Sequence, residues 1–265
     1  VPVYLFPRGD DFSLIKAFER WDPARKIKTM YWPQGEGDLR MQNPYWIAYR
    51  NLRTNYKKRY MLSASLSYDV TDWFNVSGRV RVDNSNTKYE EKLYASSNPT
   101  LTEGSTQGFY AISKPDETQI YADVLANINK RFGNYSLVVN VGASIVDNKY
   151  DELSYRGPIR ANGIPNVFNV FDLDNTQKKA RQDEWEEQTQ SVFASAELGW
   201  KSMLYLTLTG RNDWASQLAN SSTSSFFYPS VGISALISEM MKLPEWVDFL
   251  KVRGSFSSIG MPYPR

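Results

Sequence analysis

The sequence predicts an all-β fold of antiparallel up-and-down strands. Apolar and polar residues alternate along successive segments, and these segments are connected in turn by short turns and by long polar loops. The clearest segment is Leu204–Asp213. It has one apolar and one polar face because side chains of a strand point alternately to opposite sides. The apolar face carries Leu204, Leu206 and Leu208, and the polar face carries Thr207, Thr209, Arg211 and Asp213.

The composition argues against several kinds of chemistry. The 265 residues include no histidine and no cysteine, so the usual general base, the commonest metal ligand and any disulfide framework are missing. We therefore predict no catalytic site, no cofactor and no metal ion. The net charge of +2 gives no electrostatic reason to expect nucleic acid binding. No apolar run reaches the roughly eighteen residues that a membrane-spanning helix needs.

The first part of the chain, residues 1–57, is predicted to be an extracellular loop region with one short helix. Asp10–Trp21 has apolar residues at helical spacing, and Asp22-Pro23 would end that helix. Residues 32–38 combine proline and glycine as turns do. The basic segment Arg50–Arg59 is interpreted as a solvated loop rather than a nucleic acid site.

Residues 58–265 are predicted to form four hairpins of the same kind. In each hairpin a strand leads through a short turn into a second strand, and a long polar loop leads to the next hairpin. The predicted strand pairs are Leu62–Val70 with Phe74–Val82, Ile120–Ile128 with Leu137–Ile145, Val192–Leu198 with Leu204–Leu208, and Phe227–Ala235 with Leu250–Phe256. The longest loops are expected at about residues 84–117 and 148–187. The last turn, at residues 238–249, is expected to contain a short helix.

Aromatic residues cluster near both ends of the predicted strands. Trp73, Phe132 and Trp200 lie near short turns, whereas Tyr60 and Trp214 lie near loop ends. Two aromatic girdles, dyad alternation and connections of unequal length are typical of a transmembrane β-barrel. We therefore predict short periplasmic turns, long extracellular loops, apolar faces in contact with lipid and polar faces that line a wet interior.

Two soluble alternatives remain open on the pattern alone. A soluble all-β carbohydrate-binding module would bury the apolar faces in a closed core and expose the polar faces to water. A secreted β-rich hydrolase without histidine would need a pair of carboxylates in a cleft. The chain also begins at Val1–Phe6 as if within a strand and ends near a shortened strand, so we expect a fragment of a longer protein.

Several segments carry a family resemblance. Leu208–Trp214 together with Ser225–Val231 resembles the SusC/RagA-like family, the TonB-linked outer-membrane transporters of Bacteroidetes. Asn43–Trp46, Thr71–Trp73 and Lys251–Ser255 resemble the same family. The resemblance implies that the chain is a middle portion, of about eight strands, of a barrel that closes at roughly 22 strands around a plug. No counterpart of the family's plug domain or of the segment that contacts TonB is recognised in the sequence.

The resemblance also implies a function and a set of partners. Members of this family import a glycan or peptide nutrient that is too large for porins, and they perform no chemistry on it. A SusD-like surface lipoprotein helps to capture the substrate, and the TonB complex supplies energy through parts of the protein outside this sequence. The expected location is the cell outer membrane, as a multi-pass β-barrel surrounded by outer-membrane lipid.

Five residues are candidates for contact with a substrate or a partner. Tyr45 and Trp46 fall in a segment that should face outside, and their rings could stack on sugars or pack against neighbouring loops or the lipoprotein. Arg211, Asp213 and Trp214 lie at the loop end of a predicted strand. For these three, a charge network that braces the barrel wall is the alternative to substrate contact.

Overall fold

The computed structural model describes residues 9–32, 42–222, 224–244 and 246–260. Two short α-helices, two 3₁₀ helices and ten strands account for most of these residues. A 3₁₀ helix at Phe12–Lys16 comes first, and a second one at Ser216–Leu218 follows strand β8. In chain order the other elements are β1 (Glu19–Asp22), β2 (Ile27–Met30), α1 (Pro44–Arg50), β3 (Asn51–Thr71), β4 (Phe74–Tyr94), β5 (Gly108–Phe132), β6 (Tyr135–Pro158), β7 (Lys179–Trp200), β8 (Leu204–Ala215), β9 (Ser225–Leu236), α2 (Ile237–Met240) and β10 (Lys251–Ser257).

Strands β3 to β10 form one sheet, and each strand pairs with its neighbours in sequence. Within the described residues this sheet has eight strands in the order β10-β9-β8-β7-β6-β5-β4-β3. The predicted antiparallel up-and-down arrangement is therefore confirmed, and so is the short helix predicted in the last turn. No helix in the described parts of the chain is long and apolar enough to span a membrane.

The strands extend much farther than the alternation predicted. β4 continues to Tyr94 and β7 starts at Lys179, so both lie partly within the long loops expected at residues 84–117 and 148–187. β3 likewise begins at Asn51, inside the basic segment. In these extensions both strand faces are polar, and pairing is supported by side-chain bonds such as Arg53 to Glu91, with 2.7 Å between Nη2 and Oε1. Alternation cannot reveal a strand that has no apolar face.

The prediction of a helix at Asp10–Trp21 was wrong beyond its first part. Only Phe12–Lys16 is helical, as a 3₁₀ helix whose first turn is capped by the Asp11 carboxylate, which accepts a hydrogen bond from the Ser13 amide. The chain then forms β1, which pairs with β2 in a hairpin. Phe12 and Ile15 are three residues apart, a spacing that fits a 3₁₀ turn as well as an α-helix. Val1–Phe6 and most of the predicted turn at residues 32–38 lie outside the described residues.

The chain divides into two compact units. One takes the described residues through Arg59 with Ser85–Glu117 and Tyr150–Glu184, and the other takes Tyr60–Asn84, Thr118–Lys149 and the described residues from Trp185 onward. Among described residues, every buried large hydrophobic side chain belongs to the first unit: Ile15, Trp32, Trp46, Leu93, Phe109, Tyr110, Ile159 and Leu173. In the second unit the buried described residues are Gly142, Ser191 and Gly199. Within the described ranges, only the first unit thus has the core of a water-soluble protein.

The short turns of the second unit are tied to neighbouring strands and turns. The Asn129 amide donates to the Trp73 carbonyl at 2.9 Å, and the Lys201 amide donates to the Asn134 carbonyl at 2.7 Å. The β7–β8 turn itself closes through a bond from the Met203 amide to the Trp200 carbonyl at 2.9 Å. These bonds fix the backbone along this rim.

Candidate functional site: the polar face of the sheet

The apolar face of strands β7, β8 and β9 is exposed instead of packed in a core. Their register places Leu206 between Leu198 on β7 and Ile233 on β9. The side chains of Leu206 and Leu208 are 39% and 48% exposed. A continuous apolar surface of this kind marks contact with lipid or with another protein. It does not form the closed core that a soluble carbohydrate-binding module or hydrolase requires.

A depression of about 980 Å³ lies in the second unit, lined mostly by side chains of the apolar face. Leu66, Val80, Val124 and Val192 are among the lining residues. Ligand sites for nutrients combine an apolar lining with convergent polar groups. Arg79, Asp123 and Ser191 also line the depression, but most of its surface is apolar, so we interpret it as part of the apolar surface and place the candidate site on the polar face.

On the polar face, Arg79 is the centre of one charged cluster. Its Nε and Nη2 atoms lie 2.9 Å and 2.8 Å from Oδ2 of Asp123 on the next strand. The guanidinium groups of Arg79 and Arg81 lie 5.3 Å and 5.4 Å from the centroid of the Tyr121 ring, within cation–π distance. The carboxylate neutralises Arg79 in part and fixes its orientation. About half of the Arg79 side chain remains exposed, so it can still donate to an incoming group.

A second cluster on the polar face contains two of the candidates predicted from sequence. Arg211 Nε donates to Asp213 Oδ1 at 2.6 Å, and Arg211 Nη2 donates to Ser191 Oγ at 2.9 Å. Ser191 is buried on β7 directly opposite Asp213. The three side chains therefore tie two adjacent strands together, which is the geometry expected of a brace in the barrel wall. Sequence reasoning missed Ser191, although the register of the short β7–β8 turn already pairs it with Asp213.

Trp214 lies on the other face from Arg211 and Asp213. The alternation along β8 places it with Leu206 and Leu208, and its ring is 44% exposed. The three residues therefore do not share one face of the strand. Trp214 belongs to the aromatic girdle of the apolar face, whereas the charged pair faces the polar side.

The polar face also carries an aromatic residue that sequence reasoning missed. Phe193 alternates with the apolar residues of β7 and lies next to Arg211, whose guanidinium is 5.8 Å from the ring centroid. The ring packs over Gly142 on β6, where an added Cβ would come within 2.6 Å of it. A glycine is needed there because the ring occupies the space of a side chain. The signal in the sequence was a large aromatic residue on an otherwise polar strand face.

In the first unit, Tyr45 and Trp46 have different surroundings. Trp46 has no exposed surface, and its Nε1 donates to Ser97 Oγ at 2.9 Å. Its ring therefore offers no face to a ligand, and packing within the loop region is the role that the geometry favours. Tyr45 is half-buried, with its ring centroid 6.2 Å from that of Phe18 and 6.3 Å from that of Tyr49. Tyr49 is exposed, so this aromatic group reaches the surface.

A partly buried carboxylate holds the region around Tyr45 together. Glu19 on β1 accepts from Lys28 Nζ at 2.5 Å and from Arg50 Nη2 at 2.7 Å. Burial opposes ionisation of Glu19, but the hydrogen bonds and charges of Lys28 and Arg50 outweigh it and lower the pKa of the carboxyl group. The guanidinium of Arg50 also lies 5.7 Å from the Phe18 ring centroid. Glu19 thus links the β1–β2 hairpin to α1.

A comparison with protein families distinguishes a membrane barrel from a soluble all-β domain. The profile of the TonB dependent receptor-like β-barrel family matches residues 6–262. The chain belongs to this family. The membrane alternative is therefore confirmed, and the apolar face of this TonB-dependent receptor-like barrel contacts lipid of the outer membrane. The family is in general not enzymatic. No curated protein matches the chain.

Solved structures show the same fold in RagAB. The chain is similar to the RagAB peptide transporter and to the RagAB peptide importer in its open-open state, each with a TM-score of 0.69 and 16% identity. The closed-closed state of the importer gives a TM-score of 0.66 at the same identity. Each alignment covers 82% of this chain and 24% of the RagAB chain, so the chain spans less than two thirds of the proteins it resembles.

Proposed function

We propose that the chain is part of a SusC/RagA-like, TonB-dependent outer-membrane transporter that imports a glycan or peptide nutrient. The observation that carries this proposal is the contrast between the two faces of one sheet. One face is apolar and exposed, whereas the other carries charged groups such as Arg79 and Arg211. In a TonB-dependent receptor-like barrel, the polar face is the wall along which a hydrophilic nutrient would pass.

The proposal includes further strands and a plug outside this sequence. Within the described residues β3 and β10 are the two edges of the sheet, and each pairs with a strand on one side. In lipid every backbone group must be paired, so both edges need further strands. The alignment to 24% of the RagAB chain agrees with a barrel portion. TonB would supply energy, a SusD-like lipoprotein would capture the substrate, and the source would be a member of the Bacteroidetes.

The candidate contacts receive different roles in this proposal. Arg211 and Asp213 brace the wall next to the substrate path, because both are already engaged with each other or with Ser191. Tyr45, with Phe18 and Tyr49, is the candidate contact with the substrate or lipoprotein, because this group reaches the surface of the first unit. Trp46 packs within the loop region, where its Nε1 donates to Ser97 Oγ. Trp214 contacts lipid.

Uptake by cells tests the proposal. A strain that lacks the gene is complemented with the wild type, and the entry of fluorescent oligosaccharides and of peptides too large for porins is measured. We expect uptake of one of these classes, and its loss when TonB is inactivated. Arg79→Ala should reduce uptake while the protein level in the outer membrane stays unchanged. Recovery of the protein as a soluble periplasmic species, or uptake equal with and without the gene for both classes, would contradict the proposal.

A further inference from the structure

The short-turn end of the second unit carries two pairs of a lysine and a tryptophan. Lys130 Nζ lies 4.7 Å from the centroid of the Trp73 ring, and Lys201 Nζ lies 4.9 Å from that of the Trp200 ring. Both indoles are partly exposed, at 41% and 36%. The Asn129–Trp73 backbone bond described above holds the first pair together across two strands. The same geometry therefore occurs at two separate turns.

Both pairs adjoin the lipid-contacting face. Along β5, Lys130 alternates in phase with Val124 and Ile128, which belong to the apolar face. Along β7, Trp200 is in phase with Leu198, another exposed apolar residue. The lysines are thus placed where the apolar surface ends, which is the depth at which lysine and tryptophan meet lipid headgroups in membrane proteins.

Lys201 has a backbone conformation that is unfavourable for a residue with a side chain. Lys201 and Ser202 have φ values of 49° and 57° in the β7–β8 turn. Two consecutive positive φ values define the type I′ hairpin turn, in which asparagine and glycine are preferred. A residue with a Cβ is disfavoured in this left-handed region. Lys201 occupies this turn position with its ammonium group over the Trp200 ring.

Neither ammonium group has an acidic partner in the described parts of the chain. Lys28, Lys88 and Lys149 form ion pairs with Glu19, Glu90 and Glu186. No such pair involves Lys130 or Lys201 in the portion that the structure describes. A cation held against an indole ring at the edge of an apolar surface is suited to an external anion. In the leaflet around the short, periplasmic turns of an outer-membrane barrel, that anion is a phospholipid phosphate.

We propose that Lys130–Trp73 and Lys201–Trp200 are two binding sites for the headgroup of an anionic phospholipid. In each site the ammonium would pair with the phosphate, and the indole would pack against the glycerol and the upper part of the acyl chains. The pairs would fix the depth of the short-turn end of the sheet in the membrane. This inference depends on the outer-membrane barrel and not on which nutrient is transported.

Lipid binding to the intact, detergent-purified protein tests the two sites. Native mass spectrometry gives the affinity for phosphatidylglycerol and for phosphatidylcholine with the same acyl chains. We expect the wild type to prefer phosphatidylglycerol. Lys201→Gln should weaken binding of that lipid at one site about fivefold, and Lys130→Gln with Lys201→Gln should weaken binding at both sites about fivefold, the size expected for the loss of one cation near an anionic lipid. The affinity for phosphatidylcholine should not change.

The matched control is Lys114→Gln, which removes an exposed lysine at the other end of β5 and changes the net charge equally. We expect it to bind phosphatidylglycerol as the wild type does, and Lys201→Arg to retain the preference. An unchanged preference in the folded double variant, or an equal loss in Lys114→Gln, would overturn the proposal. If the double variant does not fold, the test rests on two measurements: the affinity of Lys201→Gln for phosphatidylglycerol and the salt dependence of this affinity in the wild type. A preference for phosphatidylglycerol that is unchanged both in Lys201→Gln and at high salt would equally overturn the proposal.

Discussion

Replacing Leu208 by arginine should destabilise the folded barrel by about 2–4 kcal/mol, the cost of a cation on the lipid face near the bilayer midplane. The depth of Leu208 follows from the strand. From Leu204 to Trp214, β8 advances ~34 Å, and a tilt of ~45° reduces this to ~24 Å along the membrane normal. An apolar band is ~25 Å tall, so this segment crosses all of it. Leu208 then lies ~10 Å from the Leu204 end, close to the midplane at ~12 Å.

The assay is refolding of the urea-unfolded, intact barrel into phospholipid vesicles, with the fraction folded followed by heat-modifiable mobility on gels. Thr209→Arg is the matched control, because Thr209 is the next residue along the strand but belongs to the polar face, between Ser195 and Ser230. We expect a cost below about 1 kcal/mol there, since an arginine on that face stays in a polar environment. Equal costs for Leu208→Arg and Thr209→Arg would refute the assignment of the two faces.

Three further predictions concern depth, packing and pH. Leu206→Arg should cost less than Leu208→Arg in the same vesicle assay, because ~5 Å from the short-turn end an arginine can reach the interface; a larger cost would contradict the depth assignment. Trp46→Ala should destabilise the first unit by about 3–5 kcal/mol through the cavity it leaves, and limited proteolysis should detect earlier cleavage there; unchanged protection would contradict its packing role. Glu19 has a lowered pKa in the folded state, so its stabilisation is present above the ordinary carboxyl value of 4.5 and is lost as the pH falls through the folded value. Protease sensitivity of the first unit should rise with that fall, and Glu19→Gln should reduce this pH dependence; an unchanged dependence in the variant would contradict the role of Glu19.

Much of the sheet could be predicted because lipid and the polar interior act on opposite faces of the same strand. The apolar residues of β8 repeat with a period of two, and the short β7–β8 turn fixes the register that places Leu206 opposite Leu198. The strand extensions in the first unit could not be predicted in this way. Around Arg53 and Glu91 both faces are polar, and pairing depends on specific side-chain bonds between residues that are far apart in sequence.

The candidate site was predicted in part. Arg211 and Asp213 were recognised as a charged pair on the polar face, and the structure adds Ser191 and Phe193 from the neighbouring strand. Trp214 was grouped with them because it is adjacent in sequence, although the strand period places it on the opposite face. The burial of Trp46 could not be foreseen, because Ser97, which accepts its Nε1–H, is contributed by a distant connection.

The restriction of large buried apolar residues to the first unit has a consequence for how the protein tolerates change. Strand β5 runs from Phe109, in that core, to Phe132, on the lipid-contacting face. One strand is therefore stabilised by a protein core at one end and by contact with lipid at the other. Urea weakens the hydrophobic effect, so it should first destabilise the stretch near Phe109. A change of detergent or acyl-chain length should instead alter the stability of the stretch near Phe132. The cost of replacing a valine by serine would likewise differ along the same strand. It depends on whether the side chain lies in the protein core or on the lipid-contacting face.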